Sequence, residues 1–391
     1  MAYAIRISLV LLFTFNAWQI GVSHAGGKSA GDIVVGDIPQ QVKDVLVPQP
    51  KDFQIETWIK GLEVPWSLVF LPDGRALVSE RPGRIRLIQN GRLAKEPYMR
   101  IEVNAAGEGG LMGLALHPRF EQEKYIYVMH TYREQDEIFN KVIRLSDQGK
   151  SGKMDKVIID RIPGARNHNG GRIGFGPDDL LYICTGETWT APIAQDLNNL
   201  GGKILRLDPD GGIPPDNPFA GSPIYSYGHR NPQGIAWHPE TGDLFASEHG
   251  PSGESGLQGK DIVNVIQKGG NYGWPLVVGK AKIEPYLDPL IMWEQATPPS
   301  GMTFFDNALY VATLGSRALV RIRLEHSDGT YEVTAIERLF ARRWSDGTYG
   351  RLRDAVAGPD GNLYVLTNNH DRRGNPHPDD DRILRLVPRG K

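Results

Sequence analysis

The sequence predicts an all-β fold, a six-bladed β-propeller of four-stranded antiparallel blades, from three observations. One turn signature recurs six times, no helical hydrophobic period runs through the chain, and 46 Gly with 28 Pro in 391 residues supply the turns that many short strands need. The signature is a Pro-Asp-Gly-like turn followed by an alternating apolar strand. It appears as Pro72-Asp73-Gly74 before Ala76-Leu77-Val78, His117-Pro118 before Tyr125-Ile126-Tyr127-Val128, and Pro177-Asp178 before Leu181-Tyr182-Ile183. It returns as His238-Pro239 before Leu244-Phe245-Ala246, as Asp306-Asn307 before Leu309-Tyr310-Val311, and as Pro359-Asp360-Gly361 before Leu363-Tyr364-Val365. Turn positions 72, 118, 177, 239, 306 and 359 are separated by about 46 to 67 residues, the length of a propeller blade with inserted loops. A two-sheet sandwich, the competing all-β architecture, rarely carries a repeated turn at this period.

From the N-terminus, Arg6 precedes the apolar run Leu9-Val10-Leu11-Leu12-Phe13, and Ser23-His24-Ala25 offers small residues where a signal peptidase reads. Residues 1–25 are therefore expected to be an export signal, too short in its apolar stretch for a membrane span. The mature chain is expected in the periplasm or outside the cell. Residues 26–50 show little periodicity and are expected to form a flexible leader. The propeller then occupies 51–391. Its last blade holds Leu363 to Thr367 and Arg382-Ile383-Leu384-Arg385-Leu386-Val387, then runs out of chain. The missing outer strand is expected from Phe53-Gln54-Ile55-Glu56-Thr57-Trp58-Ile59, which closes the ring and removes an open edge.

Composition excludes several function classes. The chain carries 44 basic and 46 acidic residues with interspersed signs, so it lacks the basic stripe that a nucleic-acid partner requires. A single Cys, Cys184 in an apolar run, rules out an intramolecular disulfide and reads as a buried thiol. Neither a Cys-x-x-Cys-His haem string nor a Gly-x-Gly-x-x-Gly nucleotide fingerprint occurs.

Polar clusters fall just before, or at the ends of, the expected inner strands, where propeller sites open onto the axis. They are Gly107-Glu108-Gly109-Gly110-Leu111-Met112-Gly113, Arg166-Asn167-His168-Asn169-Gly170-Gly171-Arg172 and Thr185-Gly186-Glu187. Further along come Gly228-His229-Arg230-Asn231-Pro232-Gln233-Gly234, Ser247-Glu248-His249-Gly250-Pro251, Asp261-Ile262-Val263-Asn264, Gly269-Gly270-Asn271-Tyr272-Gly273-Trp274-Pro275 and Arg351-Leu352-Arg353-Asp354. His168 and Glu187 in one blade fit a base and its orienter, since a carboxylate on one imidazole nitrogen fixes the tautomer and leaves the other nitrogen to accept a proton. A solvated loop histidine is the alternative. Arg351 and Arg353, two apart on a strand, face the same way as a fork for carboxylates or phosphates, or else form a solvated strand face.

Taken together, from about residue 53 to 387, these clusters resemble the soluble quinoprotein glucose/sorbosone dehydrogenases, the aldose sugar dehydrogenases above all. The His229-Arg230-Asn231-Pro232-Gln233-Gly234 and Asn271-Tyr272-Gly273-Trp274-Pro275 strings carry most of that likeness. The resemblance implies a six-bladed propeller holding pyrroloquinoline quinone (PQQ) with Ca2+, and oxidation of aldoses at the anomeric carbon to lactones. By the same resemblance His168 is the general base, Glu187 orients it, and Arg230 stabilises charge on the quinone oxygen. Glu108, Asn231, Arg351 and Arg353 match cofactor contacts, and the carbonyls of Gly250 and Pro251 match calcium contacts.

Two positions depart from the family pattern. Arg317, in Leu314-Gly315-Ser316-Arg317, stands where a basic cofactor contact is expected at a shifted position. The family's Asp-Glu before Ile/Val-Asn is here Asp261-Ile262-Val263-Asn264 after a longer loop, leaving Asp261 and the Tyr272 carbonyl as candidates for a structural calcium site. A sugar substrate and an external electron acceptor are the implied partners. A calcium-dependent propeller lactonase and a non-catalytic propeller that binds glycans or proteins are the alternatives, set apart by lactone hydrolysis without PQQ and by binding without redox chemistry.

Overall fold

The computed structural model describes residues 33–390; the expected export signal and the first residues of the leader lie outside them. Asp73 accepts the Arg75 N–H at 3.1 Å, Asp178 the Leu180 N–H at 3.2 Å and Asp360 the Asn362 N–H at 3.3 Å. In the His-Pro copies, His117 Nδ1 accepts the Arg119 N–H at 3.1 Å in the same way. A side chain that takes the N–H two residues on reverses the chain locally, so each signature turn folds one strand back on the one before it. Tyr182 and Tyr364, from the strands that follow, donate to Asp178 and Asp360 and pin those turns to their blades.

The result is a six-bladed β-propeller. Blade 1 comprises Pro65–Phe70, Ala76–Glu80, Arg84–Gln89 and the short Arg92–Leu93 and Met99–Arg100, both paired to the third strand. Blade 2 is Leu111–Leu116, Tyr125–Glu134, Glu137–Asp147 and Gly152–Pro163; blade 3 is Ile173–Phe175, Leu181–Thr185, Lys203–Leu207 and Ile224–Tyr227. Blade 4 is Pro232–Trp237, Leu244–Glu248, Asp261–Ile266 and Ile291–Trp293; blade 5 is Pro299–Phe305, Ala308–Thr313, Leu319–Ser327 and Thr330–Leu339. Blade 6 is Leu352–Ala357, Leu363–Thr367 and Arg382–Pro388, completed by Phe53–Lys60, which runs antiparallel to Arg382–Pro388 with Phe53 opposite Pro388. The N-terminal strand closes the ring as expected.

Alternation in the second strands is not what the structure shows. Ala76–Glu80, Leu181–Thr185, Leu244–Glu248 and Leu363–Thr367 are buried at every position, because blades stack face to face and their central strands have no solvent side. The apolar clusters accordingly lie between blades: Leu77, Leu87 and Ile85 meet Leu111, Ile126 and Val128, and the sixth blade's Tyr364, Leu366 and Ile383 meet Leu68 and Val78 of the first. Cys184 is a buried free thiol inside one such layer, its pKa pushed up by burial.

The leader corrects a second expectation. Val34–Val35 pairs in parallel with Val277–Val278, and Asp44–Val47 pairs in parallel with Ile336–Leu339 as a fifth strand on blade 5. Asp44 accepts from Arg338 Nη1 at 2.9 Å and from Trp293 Nε1 at 3.1 Å. A segment without periodicity still orders when a neighbouring sheet offers an unpaired edge and a buried cation to meet its carboxylate.

Around the axis the inner strands crowd one another. A Cβ on Gly234 would run into the Ser300 carbonyl oxygen, which also accepts from Ser247 Oγ at 2.7 Å. Gly234→Ala is therefore expected to destabilise the fold by about 1–3 kcal/mol through overpacking, read as a lower urea midpoint with an unchanged slope; an unchanged midpoint would show that the inner strands have room to separate.

Candidate functional site

The loops that enter the inner strands of blades 2 and 3, and those that leave the second strands of blades 3, 4 and 6, meet at one end of the axis. They enclose a cavity of about 280 Å³ whose wall includes Glu108, Asn167, His168, Trp189, His249, Gly250, Pro251, Asp261, Arg351 and Arg373.

His168 precedes the inner strand of blade 3, and Glu187 follows that blade's second strand by two residues. The antiparallel hairpin brings the two together, and His168 Nδ1 bonds Glu187 Oε1 with both side chains buried. The His168 ring stacks on Trp189 with centroids 4.2 Å apart and planes at 24°. Its Nε2 makes no hydrogen bond with the described residues. The imidazole is thus held on one nitrogen and one face while the other nitrogen serves the cavity, the arrangement a general base needs.

Glu108 accepts the His168 N–H at 3.1 Å and pairs with Arg373 at 3.1 Å. Burial opposes its charge, but the surrounding His249, His168 and Arg373 groups prevail and hold the carboxyl well below the usual range. Burial pushes His249 down to about 3, and its Nε2 is buried without a partner.

Arg351 lines the cavity and is paired to Asp371 at 2.8 Å. Arg353 does not stand beside it as a fork. A bulge between Leu352 and Asp354 breaks the two-residue alternation, and Arg353 is not part of the cavity wall, donating instead to Gln233 Oε1 at 2.7 Å and Ser300 Oγ at 3.3 Å. Burial lowers its pKa to about 9, and its Nε has no partner.

Arg230 and Asn231 lie behind the cavity wall. Arg230 Nε and Nη2 donate to Glu254 Oε1 at 2.9 and 2.7 Å, and the guanidinium stands 5.6 Å from the Trp189 ring centroid. Asn231 Oδ1 accepts the Gly170 N–H at 3.0 Å, leaving Nδ2 buried and unpartnered. Arg317 does not line the cavity either. It is half-buried at φ 55°, near enough to Arg351 to oppose that residue's charge.

The four expected metal positions divide. Gly250 and Pro251 are in the cavity wall, and their carbonyl oxygens accept no hydrogen bond from the described residues. Asp261 reaches the same wall, but its Oδ1 accepts the Gly250 N–H at 3.0 Å and its Oδ2 the Thr297 N–H at 2.6 Å, and burial raises its pKa to about 6. Tyr272 lines a separate, smaller space behind Gly250 and Pro251, stacked on His229 and donating its hydroxyl to the Val265 carbonyl at 2.7 Å. Both Asp261 oxygens are thus engaged by backbone N–H groups, whereas the Tyr272 carbonyl, the atom expected at a structural calcium site, accepts no hydrogen bond from the described residues. Among the described residues no three His, Cys, Asp or Glu side chains converge as a metal cluster.

Sequence reasoning missed Arg373, Asp371 and Glu254. The first two sit in Asn368-Asn369-His370-Asp371-Arg372-Arg373, directly after the second strand of blade 6. Glu187 and His249 occupy the matching place in blades 3 and 4, so alignment of the blades on one another was the available signal. Nothing in the sequence points from Glu254 to Arg230.

The donor set suits PQQ, whose three carboxylates and flat ring system call for cations and apolar faces. Arg351 and Arg373 supply the cations, Trp189, Pro251, Pro298 and Leu314 supply the faces, and His249, whose Nε2 is buried without a partner, is part of the same wall; Asn231 Nδ2 and Arg353 Nε, outside that wall, are also buried and unpartnered.

Comparison with known proteins agrees with this geometry. The glucose/sorbosone dehydrogenase family pattern matches residues 62–375. An aldose sugar dehydrogenase of Escherichia coli is 33% identical over 360 residues, covering 84% of this chain and 93% of that protein. Among solved structures, a candidate glucose dehydrogenase of Thermus thermophilus is 52% identical with a TM-score of 0.80, covering 86% of this chain and 100% of the other. The PQQ-bound aldose sugar dehydrogenase of Streptomyces coelicolor is 37% identical with a TM-score of 0.76, covering 86% and 99%. This chain, with its cavity at one mouth of a six-bladed ring, belongs to the glucose/sorbosone dehydrogenase family.

Proposed function

We propose that the protein is an exported, PQQ- and calcium-dependent dehydrogenase that oxidises aldoses at the anomeric carbon to lactones and passes the electrons to an external acceptor. The observation that carries this reading is His168: one imidazole nitrogen on Glu187, one face on Trp189, and Nε2 open to a cavity that also holds Arg351 and Arg373. When bound, PQQ supplies the two-electron acceptor for the hydride leaving the anomeric carbon. The residues of the chain do the rest. Arg351 and Arg373 would hold the cofactor's carboxylates, with Asn231 Nδ2 as a further donor. The Gly250 and Pro251 carbonyls offer Ca2+ the oxygen donors it prefers. His168 Nε2 accepts the proton of the anomeric hydroxyl, and Glu187 stabilises the imidazolium that forms. Arg230 would offset negative charge on the bound cofactor.

Export is proposed on the N-terminal sequence, in keeping with the finding that no described helix is long and apolar enough to cross a membrane. The test is titration of the purified protein with PQQ, with and without Ca2+, followed by addition of a panel of aldoses and an artificial dye. Cofactor-dependent dye reduction that requires Ca2+ and yields lactone is the expected result. Lactone hydrolysis without PQQ, or sugar binding with no reduction of the dye, would overturn the proposal.

A further inference from the structure

Lys203 opens the third strand of blade 3 and is 0% exposed. Its Nζ donates to the carbonyls of Gly201 at 2.7 Å, Ile193 at 2.8 Å and Ala194 at 3.1 Å, so all three ammonium protons have acceptors. No carboxylate bonds it; Asp196 is the acidic group that faces it, and burial lowers its pKa to about 7. A buried ammonium is tolerated only where dipoles replace its water. Here they come from one segment, residues 186–202, which joins the second and third strands of blade 3.

That segment carries Glu187 and Trp189, the two groups that hold His168. Its short 3-10 turn, Ala191–Gln195, begins at Thr190 without a side-chain cap, and it ends on carbonyls that Lys203 gathers, the position where a cation offsets the exposed carbonyl dipoles. The segment also reaches across to blade 4, in part through one of those carbonyls. Ala194 also accepts the Gly228 N–H at 2.9 Å, Gly202 accepts the His229 N–H at 3.2 Å, and Gln195 Nε2 donates to the Trp274 carbonyl at 2.7 Å.

We propose that Lys203 is a positioning residue for the site, an ammonium clamp that fixes residues 186–202 so that Glu187 and Trp189 hold His168 in its working orientation. The kinetic side of this inference rests on the dehydrogenase reading; the structural side does not.

The test uses Lys203→Met, close in volume and without donors, and Lys203→Arg, which keeps a cation. In cofactor-free protein, amide hydrogen exchange at Thr188, Thr190 and Ile193 is expected to rise at least about tenfold in Lys203→Met, with the central strands of blades 1 and 6 unchanged, and to return part of the way in Lys203→Arg. In PQQ-loaded protein kcat is expected to fall about tenfold, and combination with Trp189→Ala to be non-additive, since both changes act through one loop. If Lys203→Met does not accumulate folded, Lys203→Gln, with a single donor group, is expected to show the same local rise in smaller measure.

Exchange equal to wild type, or raised uniformly over all blades, would overturn the clamp, as would additive losses with Trp189→Ala. A wild-type chain inert towards every sugar, with the local exchange difference intact, would count against the dehydrogenase reading and leave the clamp standing.

Discussion

His168→Gln is expected to lower kcat for sugar oxidation by about 10²–10⁴-fold, the range for loss of a positioned general base, while PQQ affinity stays within a few-fold of wild type. Glutamine keeps a donor for Glu187 but has no nitrogen lone pair to take a proton at neutral pH. The buried Glu187 therefore retains a partner, and the variant avoids the cost of leaving a carboxylate unpaired. Trp189 loses its stacking partner but stays in the loop, because its backbone is held by the Thr190 N–H to Glu187 carbonyl bond at 2.8 Å and by the Lys203 contacts. Steady-state kinetics and an absorbance titration with PQQ separate the two effects. Turnover within twofold of wild type would remove His168 from the role of base, and a parallel loss of PQQ affinity would mean that the side chain binds cofactor rather than moves a proton.

The spacing that makes His168 and Glu187 readable in the sequence is not by itself diagnostic. His229 and Glu248 share it, 19 residues apart in the next blade, and bond at 2.9 Å. The difference lies in the second nitrogen. His229 Nε2 meets Ser226 Oγ at 2.8 Å and its ring is covered by Tyr272, so that pair is a sealed strut between the inner and second strands of blade 4. His168 Nε2 is left to the cavity. Two dyads at equal sequence distance thus take different roles according to what the outer strand and the following loop place against them.

The fold was legible where chemistry is local. Asp73, Asp178 and Asp360 close their turns through neighbours two residues away, and Phe53–Lys60 completes blade 6 because an apolar strand and an unpaired edge were both visible. The leader was misread because parallel pairing of Asp44–Val47 depends on blade 5, nearly 300 residues later, and leaves no period in the segment itself. The Arg351 and Arg353 fork failed for a comparable reason: period-two reasoning assumes a regular strand, and a bulge sits between them. Loop-to-loop ion pairs such as Arg230 with Glu254 have no sequence signature at all.

That last pair leads to the second large effect. Arg230→Met is expected to lower kcat by about 10²–10³-fold, the range for removing one preorganised donor from a developing oxyanion, and to weaken PQQ binding as well. Glu254→Gln is expected to move binding the other way. In the cofactor-free protein Glu254 Oε1 takes both Nε and Nη2 of an arginine that is 1% exposed, so an incoming anion must compete with a resident carboxylate. Removing that charge leaves a buried cation uncompensated, which lowers the Tm of the cofactor-free variant, and an anionic ligand then restores more stability than it does in wild type. About a tenfold tighter PQQ Kd in Glu254→Gln, equivalent to about 1.4 kcal/mol, with a larger rise in Tm on PQQ addition, is the expected pattern in a binding titration and a thermal melt. If Glu254→Gln instead weakened PQQ as much as Arg230→Met does, the carboxylate would be aiming the guanidinium at the cofactor rather than competing for it, and the opposed-sign argument would fall.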